Sequence, residues 1–249
     1  MMSFFKKEWD SYFLTNRWLI LFSIFIALGI LNPLSAKITP ALLGNLLGEE
    51  YGILIQEPTA VDSWLQFFKN VPQIGLIAFL LMMANSMSKE LQEGTLLIFL
   101  SKGLKRKSVI IAKLLFHTLM WTLGYIVSIG ITYVYTIYYW DQSVVQQLLP
   151  ALTGIYVFAL MLIFVAFLGN TLTNSTMGGL LLTGLLFMSL VFWNTFHKTT
   201  WNPLTLFDQI EERLSQDVSF SYGDPIIVAV TIMILCVGGG ILHFNKRTL

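Results

Sequence analysis

The chain has 249 residues, of which 55% are hydrophobic and 12% are charged, and its formal net charge is +1. Charged residues make up roughly 25% of a typical soluble domain, so this composition excludes an ordinary soluble enzyme or binding module. With a mean hydropathy of +0.71, the chain is predicted to be an all-α integral membrane protein, because helices satisfy their own backbone polar groups inside lipid. The single cysteine, Cys236, excludes an intramolecular disulfide.

The segment Met1–Asn16 predicts an amphipathic helix at the membrane interface. Aromatic residues recur in it at helical spacing, with charged residues between them. The aromatic residues are Phe4, Phe5, Trp9, Tyr12 and Phe13. This pattern is typical of a helix that lies on the cytoplasmic leaflet. The alternative is a disordered N-terminal tail, and the periodicity favours the helix.

Six apolar segments then predict transmembrane helices within a single domain of residues 1–249. A helix needs about 20 residues to cross a bilayer. The predicted spans cover about residues 17–36, 71–87, 108–140, 144–169, 175–193 and 225–243. The third is longer than a bilayer requires, and tyrosines near its end precede Trp140, which is typical of an aromatic belt at the membrane surface.

Two large loops outside the membrane are each predicted to contain a short helix. In the loop 37–63, Pro40 marks the expected start of the helix and Gly48 its end. In the loop 195–223, Asn202 and Pro203 predict a helix cap, after which one face is apolar and the other acidic. The apolar residues are Leu206, Phe207, Ile210 and Leu214, and the acidic residues are Asp208, Glu211 and Glu212.

The distribution of lysine and arginine predicts that both termini are cytoplasmic. These residues concentrate in the cytoplasmic segments of membrane proteins. With both termini on one side, that side carries Lys6, Lys7, Arg17, Lys89, Lys102, Lys105, Arg106, Lys107, Lys113, Lys246 and Arg247. The opposite side carries Lys37, Lys69, Lys198 and Arg213.

Sequence motifs of enzymes are absent. The chain has no G-x-x-x-x-G-K-[ST], no H-E-x-x-H and no G-x-S-x-G. His117, His197 and His243 are not spaced as metal ligands are. We therefore expect no catalytic residue, no cofactor-binding residue and no metal ligand. His117 lies inside the third span, where it could titrate in a transport path, although a hydrogen bond to a neighbouring helix is favoured.

Charged groups inside the predicted spans are scarce. No carboxylate or arginine lies in the middle of a span, and Lys113 is near enough to a helix end to extend its charge toward water. Ion-coupled carriers use intramembrane charges as relays, so their scarcity disfavours a secondary carrier. Small residues in the fifth span (Ser175, Gly179 and Thr183) predict close helix packing within one subunit.

The segment Ser88–Lys113, between the second and third spans, carries the most specific pattern in the chain. It predicts a short helix from Glu90 to Ser101, in which Glu90 and Glu93 favour the positive end of the helix dipole. Gly94 keeps one face of this helix small enough for close approach by another surface. The pattern E-x-x-x-G-T…L-S…R…K is formed by Glu90, Glu93, Gly94, Thr95, Leu100, Ser101, Arg106 and Lys113.

On these residues the chain resembles the ABC-2 type transporter permeases, in which the pattern also lies between the second and third spans. The amphipathic N-terminal helix, the six spans and the large loop before the last span agree with that family. The family usually has a proline after the Leu–Ser pair, where this chain has Lys102 and Gly103. The resemblance covers essentially the whole chain.

The resemblance implies a permease subunit that forms the translocation path of an ATP-driven exporter. A cytoplasmic coupling helix would contact a separate ATP-binding subunit, which would bind ATP and Mg²⁺, and a second permease chain, identical or related, would complete the path. No nucleic acid is expected as a partner, and a bacterial plasma membrane is the expected location. The expected ATPase-coupling residues are Glu90, Glu93, Gly94, Thr95, Ile98, Leu100, Ser101 and Arg106. The alternatives are a channel or secondary carrier without an ATPase, and an intramembrane enzyme.

Overall fold

Long apolar helices dominate the structure, a computed structural model that describes residues 2–47, 57–92, 101, 105–173, 175–197, 199–216 and 222–246. No strand occurs in this part of the chain. The helices are α1 (Met2–Leu14), α2 (Arg17–Leu47), α3 (Ala60–Asn70), α4 (Ile77–Gln92), α5 (Arg106–Tyr139), α6 (Leu148–Thr173), α7 (Thr176–Phe196), α8 (Ile210–Ser215) and α9 (Gly223–Lys246). A π-helical segment, Val71–Leu76, joins α3 to α4, and 3-10 helices form at Gln142–Val144 and Pro203–Phe207.

Six stretches of the described chain are long and apolar enough to cross a membrane. They are Arg17–Leu42, Ala60–Ala84, Arg106–Tyr139, Leu148–Thr173, Met177–Phe196 and Gly223–Lys246. The prediction of an all-helical membrane protein with six spans is confirmed. The assignment of the whole chain to one domain stays a prediction.

The first span is longer than the sequence predicts. α2 continues without a break through Pro33 and Pro40, so the predicted exit near residue 36 and the separate helix starting at Pro40 do not occur. Proline has no N–H, so Pro33 cannot donate to the carbonyl of Gly29 one turn earlier. The Thr132 hydroxyl on α5 donates to that carbonyl instead, at 3.2 Å. This replacement donor from the third span explains why the helix tolerates a proline.

The second span begins at Ala60, eleven residues before the predicted start near Val71. Asp62 accepts hydrogen bonds from the Thr59 N–H at 2.7 Å and the Thr59 hydroxyl at 2.9 Å, which fixes the start of the helix. Pro72 removes one backbone donor, and the π-helical segment around it absorbs the irregularity. As a result, α3, the π-helical segment and α4 form one continuous helix, and Lys69 lies within a span rather than in a loop.

The two ends of the chain lie at the same end of the helix bundle. α1 packs on α5, where Phe4 is buried and Lys113 Nζ lies 3.0 Å from Glu8 Oε1. Arg106, at the start of α5, donates to the backbone carbonyls of Phe244 at 3.0 Å and Asn245 at 3.2 Å, at the end of α9. Helix C-termini leave carbonyls without an intrahelical donor, so the guanidinium stabilises this end of α9.

Lys113 is fully buried, which corrects the expectation that its charge reaches water. Its carboxylate partner comes from α1, which the sequence predicts only as an interfacial helix. Whether α1 lies at the membrane surface stays a prediction. Burial raises the pKa of Tyr12, on the same helix, to about 12, so its hydroxyl stays protonated at neutral pH. The ring nitrogen Nδ1 of His117 lies 2.7 Å from the carbonyl of Lys113, on its own helix.

At the opposite end of the bundle, residues 199–216 fold back onto the spans. The Asn202 side chain caps the 3-10 helix by accepting from the N–H of Leu204 at 3.0 Å. The predicted amphipathic helix is split, because Gln209 has a left-handed backbone with φ of 53° and α8 begins only after it. Its sidedness is as predicted: Leu206, Ile210 and Leu214 are buried, whereas Asp208, Glu211 and Glu212 are exposed. Arg213 is also buried and donates to the carbonyls of Thr205 at 2.9 Å and Leu206 at 3.3 Å.

α6 and α7 approach each other closely at glycine positions. A Cβ added at Gly179 would contact Asn170 Oδ1 and would lie 2.5 Å from the backbone oxygen of Ala166. One added at Gly169 would lie 2.8 Å from the Cα of Gly179. The contact is therefore made within one subunit, as the small residues of the fifth span predict.

We expect Gly179→Ala to destabilise the protein by about 1–3 kcal/mol, because the methyl group would push α7 away from the α6 backbone. Gly184→Ala is the matched control on the same helix, since no heavy atom lies within 4 Å of its added Cβ. Thermal unfolding of the two purified variants in detergent measures the difference. Equal melting temperatures would contradict the close contact between α6 and α7.

Candidate functional site

An apolar groove of about 960 Å³ runs along the membrane-spanning part of the bundle. One wall is the continuous helix formed by α3, the π-helical segment and α4, and the opposite wall is α7. Two residues of α6, Phe158 and Leu162, also line it. The apolar lining is formed by Leu65, Phe68, Pro72, Leu76, Ile77, Leu80, Leu81, Phe158, Leu162, Leu180, Gly184, Phe187, Leu204, Phe207 and Ile210.

The folded-back segment contributes to the groove at the end of the bundle far from the termini. Phe207 packs edge-on against Phe158, with ring centroids 4.8 Å apart. The buried side chain of Leu206, beside it, would lie 3.3 Å from a Cβ added at Gly154, so α6 needs a small residue there. The contacts of Arg213 with the backbone hold this segment in place. The groove therefore has a defined boundary at that end of the bundle.

Three polar side chains line the groove, namely Lys69, Gln73 and Thr183. Thr183 donates to the carbonyl of Gly179 in its own helix at 2.8 Å. Lys69 and Gln73 are exposed in the single chain, and Lys69 is the one charged residue in the described lining. The groove is thus apolar along most of its length, with two polar groups on the wall formed by the second span.

Lys69 lies well inside the second span. It follows Ala60 by nine residues, which corresponds to about 14 Å along the helix axis. Near the start of the same helix, Ser63 Oγ lies 2.7 Å from Thr136 Oγ1, close to the C-terminal end of α5. Trp64 donates to Gln142, in the connection after α5, at 3.3 Å. Lys69 therefore lies more than one helical turn further along the span than Ser63 and Trp64.

The sequence does not predict this groove, because its hydropathy places Lys69 in a loop. A signal is present: Leu65, Lys69 and Gln73 recur every four residues and so share one face of a helix. The residues contributed by α6, α7 and the folded-back segment are distant in sequence, and no local pattern connects them.

The predicted coupling segment begins at the other end of this same helix, with Glu90. α4 continues eight residues beyond Ala84, where the candidate span ends, and Glu90 belongs to this extension. Ser101 is helical and exposed, and Arg106 contacts the end of α9. The remaining predicted coupling residues, Glu93, Gly94, Thr95, Ile98 and Leu100, lie outside the described residues. Their role stays a prediction.

No cluster of three or more His, Cys, Asp or Glu side chains that could hold a metal ion occurs in the described ranges. A second cavity of about 490 Å³, at the end of the bundle far from the termini, is lined by Glu57, Asp62 and Glu211 among others. Asp62 is engaged by Thr59 as a helix cap. Neither cavity brings together the groups of a known catalytic arrangement within the described chain.

The six spans and the groove define a polytopic membrane protein with a mostly apolar cavity between its second and fifth spans. The chain belongs to a family of membrane transporters: the model of the family described as ABC-2 family transporter protein matches residues 2–234. The predicted resemblance is thus confirmed, and the chain is a transmembrane subunit of a transporter. No curated protein and no solved structure matches the chain.

Proposed function

We propose that this chain is the permease subunit of an ATP-driven exporter and that a separate ATP-binding subunit supplies the energy. The family match over residues 2–234 is the observation that carries this proposal. The groove between the second and fifth spans supports it, since it has a volume of about 960 Å³ and most of its lining belongs to the spans. In this proposal the groove is part of the translocation path.

The continuous second helix supports a mechanical link between the ATP-binding subunit and the groove. Leu81 lines the groove, and Glu90 lies nine residues further along the same helix, about 14 Å away. Nucleotide binding in the partner would move the segment Glu90–Ser101, and the rigid helix would carry that movement to the groove wall. Such a local event acts by biasing two states of the bundle.

The groove also supports the proposal of two permease chains. The fifth span forms one wall, and the helix face next to its groove-lining residues is largely exposed, with Leu181, Leu185 and Met188 each more than 60% exposed. A single chain leaves the groove open on one side. A second copy, or a related chain, would enclose a path between two such grooves.

A secondary carrier is the alternative, and the described groove lining does not favour it. Ion-coupled carriers use intramembrane carboxylates or histidines as relays. The charged residue of the described lining is a lysine, with no carboxylate beside it. This supports an external energy source over an ion gradient.

We further propose that the protein lies in a bacterial plasma membrane with both termini in the cytoplasm. The end of the bundle at which α1, the start of α5 and the end of α9 meet carries most of the basic residues of the described chain. These are Lys6, Lys7, Arg17, Lys105, Arg106, Lys107, Lys113 and Lys246. This is the distribution that cytoplasmic segments show.

The proposal is tested by co-purification and nucleotide binding. The tagged chain, extracted in mild detergent from its own cells, is expected to co-purify with an ATP-binding protein, and the chain alone is expected to bind no ATP. A fluorescent ATP analogue measures binding to both preparations. Nucleotide binding by the isolated chain, or an active transporter that contains no ATPase, would refute the proposal.

A further inference from the structure

We propose that the groove binds an anionic amphiphile, a molecule with a hydrocarbon body and a negatively charged head, and that Lys69 and Gln73 hold the head. This inference rests on the proposed function, in which the groove is part of the translocation path. It adds the chemical class of the molecule that the groove accepts.

The size and lining of the groove suit a hydrocarbon body. Its volume of about 960 Å³ is at the upper end of the ~300–1,000 Å³ range of small-molecule sites. Below Lys69 the wall of the second span is apolar, with Leu76, Leu80 and Leu81 in line, and Leu180 and Phe187 face the groove from the fifth span. Apolar surface of this kind favours a chain of methylene groups over a soluble ion.

The positive charge of Lys69 favours a negatively charged ligand. The described ion pairs involve Glu8, Lys7 and Lys113, and none of them involves Lys69. A lysine at this depth is costly in lipid and is normally found facing a partner or a polar cavity. A negatively charged head in the groove would supply the missing partner and would accept a charge-assisted hydrogen bond.

Gln73 extends the polar site by one helical turn. Its side chain is exposed in the groove and carries two N–H donors and a carbonyl acceptor. A head with several oxygens, such as a phosphodiester or a carboxylate, could contact both residues. The hydrocarbon body would then extend from this site toward the cytoplasmic end, along the wall formed by α4.

Two alternative roles of Lys69 lead to different results. In the first, the flexible lysine side chain extends to the outer membrane surface and binds nothing in the groove. In the second, another copy of the chain fills the groove. In the first case the lysine would attract anionic heads at the membrane surface without the groove, so Gly184→Trp, which places an indole in the groove, would leave the lipid preference unchanged. In the second case Lys69 would affect the mass of the assembly.

The experiment uses the full-length chain, purified without an ATPase and placed in nanodiscs of phosphatidylcholine. Binding of spin-labelled phosphatidylglycerol, which is anionic, is compared with that of spin-labelled phosphatidylcholine with the same acyl chains. We expect about tenfold tighter binding of the anionic lipid, lost in Lys69→Gln and retained in Lys69→Arg. Lys37→Gln is the control, because Lys37 lies over the ring of Tyr139, outside the groove.

Equal binding of both lipids, or an unchanged preference in Lys69→Gln or in Gly184→Trp, would overturn the inference. If inorganic phosphate alone competed with the lipid, the site would be one for small anions, and the proposal of an anionic amphiphile would be overturned. A change of assembly mass in Lys69→Gln, without a change in lipid preference, would assign the groove to a second copy. Because no ATPase is present, the experiment measures lipid binding independently of ATP-driven transport. A failure of the binding inference is therefore distinguishable from a failure of the proposed function.

Discussion

Glu8→Gln is expected to destabilise the protein by up to about 3 kcal/mol, because it removes a carboxylate that lies 3.0 Å from the fully buried Lys113. Removing one partner of a buried ion pair typically costs about 3–5 kcal/mol, since the remaining charge has been taken out of water. Replacing both partners by apolar residues of similar size is often neutral. The double variant Glu8→Leu/Lys113→Met should therefore regain most of the lost stability.

Lys7 offers a matched control for this pair. Its Nζ also lies near Glu8 Oε1, at 3.5 Å, but its side chain is 29% exposed. Exposed ion pairs contribute about 0–1 kcal/mol, so Lys7→Met should change stability little. Thermal unfolding of the four proteins in detergent tests the prediction. If Glu8→Gln and Lys7→Met had equal effects, or if the double variant were no better than Glu8→Gln, the buried pair would not hold α1 on α5.

Gly94→Trp is expected to uncouple the ATP-binding subunit while leaving the membrane bundle folded. Gly94 lies in the predicted coupling helix, outside the described residues, and an indole there would prevent a partner surface from approaching closely. A docking penalty of about 1.4 kcal/mol already weakens association tenfold, so we expect at least about a tenfold loss of transport-linked ATP hydrolysis. Glu93→Lys, which places positive charge near a helix N-terminus, should have a smaller effect of about 0.3–1 kcal/mol.

The comparison requires a variant of equal bulk outside the predicted helix. Lys105 is exposed and lies just before α5, so Lys105→Trp is the control. Size-exclusion profiles in detergent check that all variants are folded, and ATP hydrolysis is then measured in the complex with the ATP-binding subunit. Normal hydrolysis and normal association in Gly94→Trp would remove the coupling role from this segment.

The number and order of the spans could be predicted from hydropathy, because each contains a long apolar run. The first and last residues of the second span could not be predicted from hydropathy. Asp62, Gln66, Lys69 and Asn70 make its N-terminal half polar, and the structure shows that some of these side chains have partners inside the protein. Asn70 donates to Asn32 Oδ1 at 2.9 Å, and Asp62 caps the helix. A hydropathy pattern does not distinguish polar groups with internal partners from polar groups in water.

Long-range contacts account for the remaining differences between the predicted and the observed helices. The helix through Pro33 depends on the Thr132 hydroxyl, and the burial of Lys113 depends on Glu8. In both cases the partner is about a hundred residues away along the chain. The coupling segment differs, because its local sequence pattern is enough to indicate the family. That pattern carries no information on how the segment would contact an ATP-binding subunit.

The most direct test of an ATP-driven permease follows the groove itself while ATP is added. Leu81→Cys and Gly184→Cys, on opposite walls, are combined in a Cys236→Ser background and spin-labelled, and the distance between the labels is measured in the membrane. We expect the distance distribution to shift when ATP is added in the presence of the ATP-binding subunit, and not in its absence. A shift produced by an ion gradient without that subunit, or no shift when the complex binds ATP, would contradict the coupling of this groove to ATP.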